Sequence, residues 1–312
     1  MIVTVTPNPV VDRTLTVAEI VLNEMARAIE IREDWGGKGF NVSRALKALG
    51  TESLAMGFAG GTTGAKLEAG LRGLGIDTDL VPVAGETRTN IVITNRKGTE
   101  YVKVNEPGPT VSATELAAFF ERVPRVARPG DLWGLCGSLP PGVPVDFYAQ
   151  LIHLLHEHGV QALLDTSGEP LRLGLAARPY AAKPNLPEVE AWLGHPVATD
   201  LALAEAVDNL LELGISLVAL SLGANGLMLA TEATQAWIKP PQVAAPNPVG
   251  AGDALVAGLL WALSEGLPLA EVAAWGVAAG TAAAMQEGVS VGTWGDVKAI
   301  HDQVRHFPWP HS

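Results

Sequence analysis

The sequence predicts an α/β fold with a mainly parallel sheet, and three observations carry that expectation. From Ser112 onward, short apolar runs alternate with helical stretches, which is the pattern of repeated β-α units. Two glycine-rich loops, Gly36-Gly37-Lys38-Gly39 and Gly250-Ala251-Gly252-Asp253, run straight into good helix formers. Of 312 residues, 48% are hydrophobic and only 17% are charged, so the chain can bury a large core. In such sheets the loops at the carboxyl ends of the strands carry the ligand.

The elements follow in order. Ile2 to Thr6 read as a strand that stops at Pro7-Asn8-Pro9, and Asp12 is expected just past it. Residues 13–34 are too polar for a central parallel strand and suit an exposed, partly antiparallel layer. After the glycine loop, Val42, Ala45, Leu46 and Leu49 keep helical spacing up to a stop at Gly50. Lys38 among three glycines points to anion binding, against the simpler reading of a surface lysine. Leu54–Phe58, a loop over 60–64 and Ala65–Leu74 make a βα unit. Neither this loop nor Gly250-Ala251-Gly252 fits the Walker or the GxGxxG pattern.

Residues 85–93 and 100–104 read as a hairpin across Asn95-Arg96-Lys97-Gly98. With 13–34 it forms a small sheet, expected as a lid that brings Arg88 toward the cleft if its face is inward. The expected organisation is an α/β core of 1–12, 35–84 and 106–312, with the lid made of 13–34 and 85–105.

In the second half, Ser112 and Glu115 form a capping box, and 131–134 is a strand ending at Cys136-Gly137-Ser138-Leu139-Pro140. Pro144–His158 is a helix, and Val160–Leu164 a strand ending at Asp165. Ala181–Asn185 is a short strand end, Glu188–Leu193 begins a helix, and Ala202–Leu213 is another. Ile215–Leu220 is a strand, and alanine-rich helices over 262–285 pack behind Asp253. Asn185 and Glu188 suit either a helix start or, through waters, a Mg²⁺ ion. His153, His156 and His158 lack the partners of a zinc site and read as one face and end of a helix.

Composition narrows the partners. A net charge of −12 argues against a nucleic-acid surface. The uncharged run from Leu213 to Thr231 is nominally long enough to span a bilayer, but the turn sequence Gly223-Ala224-Asn225-Gly226 breaks it. No membrane association is expected, and without a basic, apolar leader the expected location is cytoplasmic. The single cysteine, Cys136, excludes an intrachain disulfide and fits a buried core position.

The stretch from Asn247 to Gly258 organises the rest. Its glycines let backbone N–H groups approach an anion at a helix start, and Asp253 places a carboxylate there. That carboxylate is either a base or a helix cap.

Several of these pieces together resemble the ribokinase-like sugar kinases of the phosphofructokinase B type. They are Thr6-Pro7-Asn8-Pro9 with Asp12, Gly36 to Ser43, Thr87 to Asn90, Gly137 to Pro140, Lys183-Pro184-Asn185 with Glu188, Ser221 to Gly226, and Asn247 to Asp253. The lysine of Gly-Gly-Lys-Gly is similar to that of the 1-phosphofructokinase and tagatose-6-phosphate kinase branch. The resemblance implies a three-layer α/β/α ribokinase-like fold with a small β-sheet lid, which also makes a homodimer contact. It implies ATP and Mg²⁺, and phosphorylation of a ketohexose phosphate. Fructose 1-phosphate to the 1,6-bisphosphate is the expected reaction, with tagatose 6-phosphate, fructose 6-phosphate, a free sugar or a non-catalytic sensor as alternatives.

By the same resemblance, Asp253 is the base, and Gly250 with the N–H groups of Ala251, Gly252 and Asp253 forms an anion hole. Asp12 and Asn41 hold sugar hydroxyls with Gly37 beside them, and Lys38, Arg88 and Ser138 bind the sugar's phosphate, with Arg27 reaching from the lid or a partner subunit. Lys183, Asn185, Ser221, Gly223 and Gly226 line the nucleotide side, and Asn185 with Glu188 orders Mg²⁺.

Overall fold

The structure is a computed structural model that describes residues 1–97, 100–245, 249–286 and 290–310. Asn247 and Pro248 of the stretch leading to Asp253, and Gly98 of the hairpin turn, lie outside the described residues. In chain order the elements are β1 (Ile2–Thr6), β2 (Val10–Val17), β3 (Ala28–Gly36), α1 (Lys38–Ala48), β4 (Ser53–Ala59), α2 (Gly61–Gly73), β5 (Asp77–Pro82), β6 (Arg88–Asn95) and β7 (Tyr101–Val104). Then come α3 (Ala113–Val126), β8 (Leu132–Cys136), α4 (Phe147–Glu157), β9 (Gln161–Asp165), α5 (Gly168–Ala176), β10 (Ala181–Ala182), α6 (Leu186–Leu193), α7 (Asp200–Glu212) and β11 (Leu217–Ser221). The chain closes with β12 (Leu227–Ala230), β13 (Gln235–Lys239), α8 (Ala251–Ser264), α9 (Leu269–Ala284), α10 (Trp294–His301) and β14 (Arg305–Phe307).

The larger sheet has ten strands in the order β14-β13-β12-β11-β10-β9-β8-β1-β4-β5. From β5 to β11 every pairing is parallel, while β12, β13 and β14 extend one edge antiparallel. Side chains alternate across a strand, so each interior strand feeds two cores. Val3, Trp133, Leu164 and Val218 face α3, α4, α5, α6 and α7, and Ile2, Leu132, Leu163 and Leu217 face α1, α8, α9 and α10. The uncharged run that sequence left as two strands, or a strand and a loop, is β11 and β12 joined by a 3₁₀ turn at Gly223–Asn225. Among the described residues, no helix is long and apolar enough to cross a membrane.

A separate four-stranded sheet has the order β3-β2-β6-β7. It begins at Val10, so Asp12 lies within β2, opposite Asp34 and Asn90, rather than in a loop past β1. The chain leaves one sheet and enters the other across Pro7-Asn8-Pro9, and the prolines enforce that break by donating to neither ladder. On this sheet Ile31, Leu15, Ile93 and Val102 stand side by side across all four strands. Ile31 and Val102 are exposed.

Candidate active site

The site is built where β1, β8, β9 and β11 end and where α1 and α8 begin. Helix α8 starts on Gly250, whose φ of 79° is left-handed, and no side chain caps it. Its first intrahelical bond runs from Ala254 N–H to Gly250 O. The N–H groups of Ala251, Gly252 and Asp253 therefore have no intrahelical acceptor, and they carry the positive end of the helix dipole. Gly252 is exposed, and a Cβ placed on it would meet nothing within 4 Å.

Asp253 does not cap this helix. Its buried carboxylate accepts a hydrogen bond at 2.8 Å from the Asn41 amide, which comes from α1. Burial, and then the like charge of Asp165, push the Asp253 carboxyl up to about 6, with Asn41, Lys38 and Lys183 pulling the other way. The group is thus ionised near neutrality yet more basic than an ordinary aspartate, as a general base requires. The other amide atom of Asn41, Oδ1, is buried and has no hydrogen-bond partner.

Lys38 is the first residue of α1. Its ammonium donates to Asp165 Oδ1 at 3.1 Å, and the Lys183 ammonium approaches the same oxygen at 3.2 Å. Asp165 is 1% exposed at the end of β9. Burial opposes its charge, but Lys183 and Lys38 outweigh that and hold its carboxyl below the usual range. Sequence reading placed Asp165 only as a strand end; an aspartate at the carboxyl end of a parallel strand was the available signal. The loop after β8 is fixed at Gly137, whose carbonyl accepts from the Tyr148 and Thr166 hydroxyls, both at 2.8 Å.

The glycines around Lys38 serve the protein's own packing. A Cβ on Gly36 would lie 2.5 Å from Asp12 Oδ2, on Gly37 2.6 Å from Thr6 Cγ2, and on Gly39 2.8 Å from the Val5 carbonyl oxygen. Only glycine lets α1 seat against the end of β1.

Arg88 opens β6 and donates to the carbonyls of Asn8 at 3.0 Å, Glu106 at 3.2 Å and Pro9 at 3.4 Å. These bonds tie the crossover between the sheets and leave further guanidinium hydrogens on Nη1 and Nη2. Asp12 accepts from Asn90 at 2.9 Å, and burial raises its carboxyl despite Asn90, Lys103 and Arg88. Asn8 reaches the exposed Ser138 at 3.5 Å. Arg27 is exposed in the connection between β2 and β3 and shares none of these contacts.

On the other side, Asn185 and Glu188 form a reciprocal capping box at the start of α6, each backbone N–H donating to the other's side chain at 2.9 Å. Asn185 bridges to Ser221, whose hydroxyl donates to the Pro184 carbonyl. Asn185 and Glu188 also line a cavity of about 430 Å³ with Arg172 and Trp192. Gly223 opens into free space, whereas Gly226 is pressed against the Ile238 carbonyl. Among the described residues, no group of three or more His, Cys, Asp or Glu side chains suits a metal on its own. Asn and Glu oxygens do fit Mg²⁺, which keeps waters and takes substrate phosphates as ligands.

Open helix N–H groups, a buried carboxylate beside them and two ammonium groups close by suit phosphoryl transfer, which needs charge stabilisation and an oriented acceptor. Comparison with known proteins agrees. The chain belongs to the pfkB family of carbohydrate kinases, whose pattern matches residues 5–294. It is 39% identical to a 1-phosphofructokinase of Xanthomonas campestris pv. campestris over 84% of each chain. A Bacillus subtilis 1-phosphofructokinase is 34% identical, with 92% of this chain and 93% of the relative covered. Among solved structures, phosphofructokinase-2 from Escherichia coli superposes with a TM-score of 0.92 at 29% identity, covering 97% of this chain and 98% of that one.

Proposed function

We propose that the chain is a cytoplasmic ATP-dependent kinase that phosphorylates fructose 1-phosphate to fructose 1,6-bisphosphate. The observation that carries the reading is the buried Asp253 carboxylate, oriented by Asn41 beside the open backbone of Gly252. Relatives named 1-phosphofructokinase support the choice of acceptor.

In this reading Asp253 takes the proton of the acceptor hydroxyl as the hydroxyl oxygen attacks the γ-phosphorus of ATP, and the bond from that phosphorus to the β,γ-bridging oxygen breaks to release ADP. The N–H groups of Ala251, Gly252 and Asp253, reached through the turn at Gly250, stabilise charge on the transferring phosphoryl group. Asp12, Gly37 and Asn41 hold the sugar, and the orphan Asn41 Oδ1 is an acceptor suited to a hydroxyl. Lys38, Arg88 and Ser138 bind the phosphate already present, with Arg27 contributed by the small sheet or a partner subunit. Lys183, Asn185, Ser221, Gly223 and Gly226 face the nucleotide. Asn185 and Glu188 would hold Mg²⁺ through water, which supplies charge neutralisation on the phosphates. The small sheet acts as a lid, and its exposed Ile31 and Val102 suit a homodimer contact through that sheet.

ADP release across a panel of sugars tests the reading. Fructose 1-phosphate is expected to give the highest kcat/KM. A higher value with tagatose 6-phosphate, fructose 6-phosphate or a free sugar would reassign the acceptor, and no release with any would remove the kinase reading.

A further inference from the structure

Asp165 has a place in the site that the reaction as described above does not use. This buried carboxylate answers to two cations, from different parts of the fold. Lys38 opens α1, and Lys183 follows β10, the strand next to β9 in the sheet. Both ammonium groups lie on the single oxygen Oδ1, while Oδ2 is buried with no hydrogen-bond partner. Two ammonium groups that share one oxygen repel each other unless the carboxylate stands between them. The pairing also limits the lysine stems. The Lys38 side chain is 41% exposed and would otherwise sample many rotamers, since lysine carries large side-chain entropy.

We propose that Asp165 is a positioning residue that holds Lys38 and Lys183 together, so that one carboxylate sets the cation on the sugar-phosphate side and the cation on the nucleotide side. The proposal rests on the roles given above to the two lysines. Its consequence is that loss of one charge at the end of β9 weakens two ligands that Asp165 need not touch. A residue that only filled space there would change neither affinity once the fold was kept.

The test compares Asp165→Asn, which keeps shape and removes charge, with Lys38→Met and Lys183→Met in the full chain. KM for fructose 1-phosphate and for ATP is read by ADP release. Lys38→Met is expected to raise KM for the sugar phosphate by roughly tenfold and Lys183→Met to raise KM for ATP by roughly tenfold, each leaving the other KM within about twofold. Asp165→Asn raises both together, by roughly fivefold or more. If the lysine variants behave so and Asp165→Asn leaves either KM at the wild-type value, the positioning role is wrong while the functional reading stands. If neither lysine variant moves its own KM, both are wrong.

A second measurement covers the case in which Asp165→Asn does not fold. With one lysine removed Asp165 keeps a counter-ion, and with both removed it is a buried, unpaired charge. The loss of Tm in the double lysine variant should exceed the summed losses of the single variants, and additive losses would overturn the proposal.

Discussion

The two glycine loops look alike in sequence and do different work. Around Lys38, the glycines remove atoms that would collide with β1 and Asp12, so the loop is a packing joint. At the start of α8, Gly252 faces free space while the neighbouring Asp253 is buried. The first loop fixes where α1 sits, and thereby where Asn41 and Lys38 point; the second leaves backbone N–H groups open to a ligand. A glycine-rich motif does not by itself say which of these it is, because the answer depends on what the fold brings against it.

Substitutions can break that contrast. Gly39→Ala drives a Cβ against the Val5 carbonyl and the Thr6 hydroxyl, neither of which can move far. It should cost about 3 kcal/mol of stability, seen as a clear fall in Tm, with activity lost alongside. Gly252→Ala meets nothing in the free protein, so Tm should stay within about 1 °C while kcat falls roughly tenfold, as the methyl group obstructs the N–H groups from the phosphoryl group. The reverse outcome, a stable Gly39→Ala and an unfolded Gly252→Ala, would erase the distinction.

The smallest effect is one of pH. Asp253 must be ionised to accept a proton, and its carboxyl titrates at about 6. The rate should therefore fall as pH drops through about 6 and level off above about 7. A flat profile from pH 5 to 8 would mean that another group, or none, takes the proton.

Much of this was legible in the sequence. The β-α alternation, the capping box at Ser112, a helix start at the Asn185 and Glu188 pair, and the glycine turn before Asp253 are local patterns, and each appears in the structure. What was not legible was long-range. Asp165 meets Lys38 across 127 residues and Asn41 meets Asp253 across 212, pairings that only the strand order creates. Strand β5 was missed because it begins with acidic residues and ends in proline, which an edge position tolerates. The packing role of Gly39 was hidden for the same reason as the ion pairs, since Val5 and Thr6 are remote in sequence.

The central claim is that the carboxylate of Asp253 is the base. Asp253→Asn tests it, because asparagine keeps the side-chain shape and cannot take the proton. With fructose 1-phosphate and ATP, kcat should fall by on the order of a thousandfold, while nucleotide affinity measured by calorimetry stays within about twofold. An Asp253→Asn enzyme that keeps most of its turnover would contradict the account.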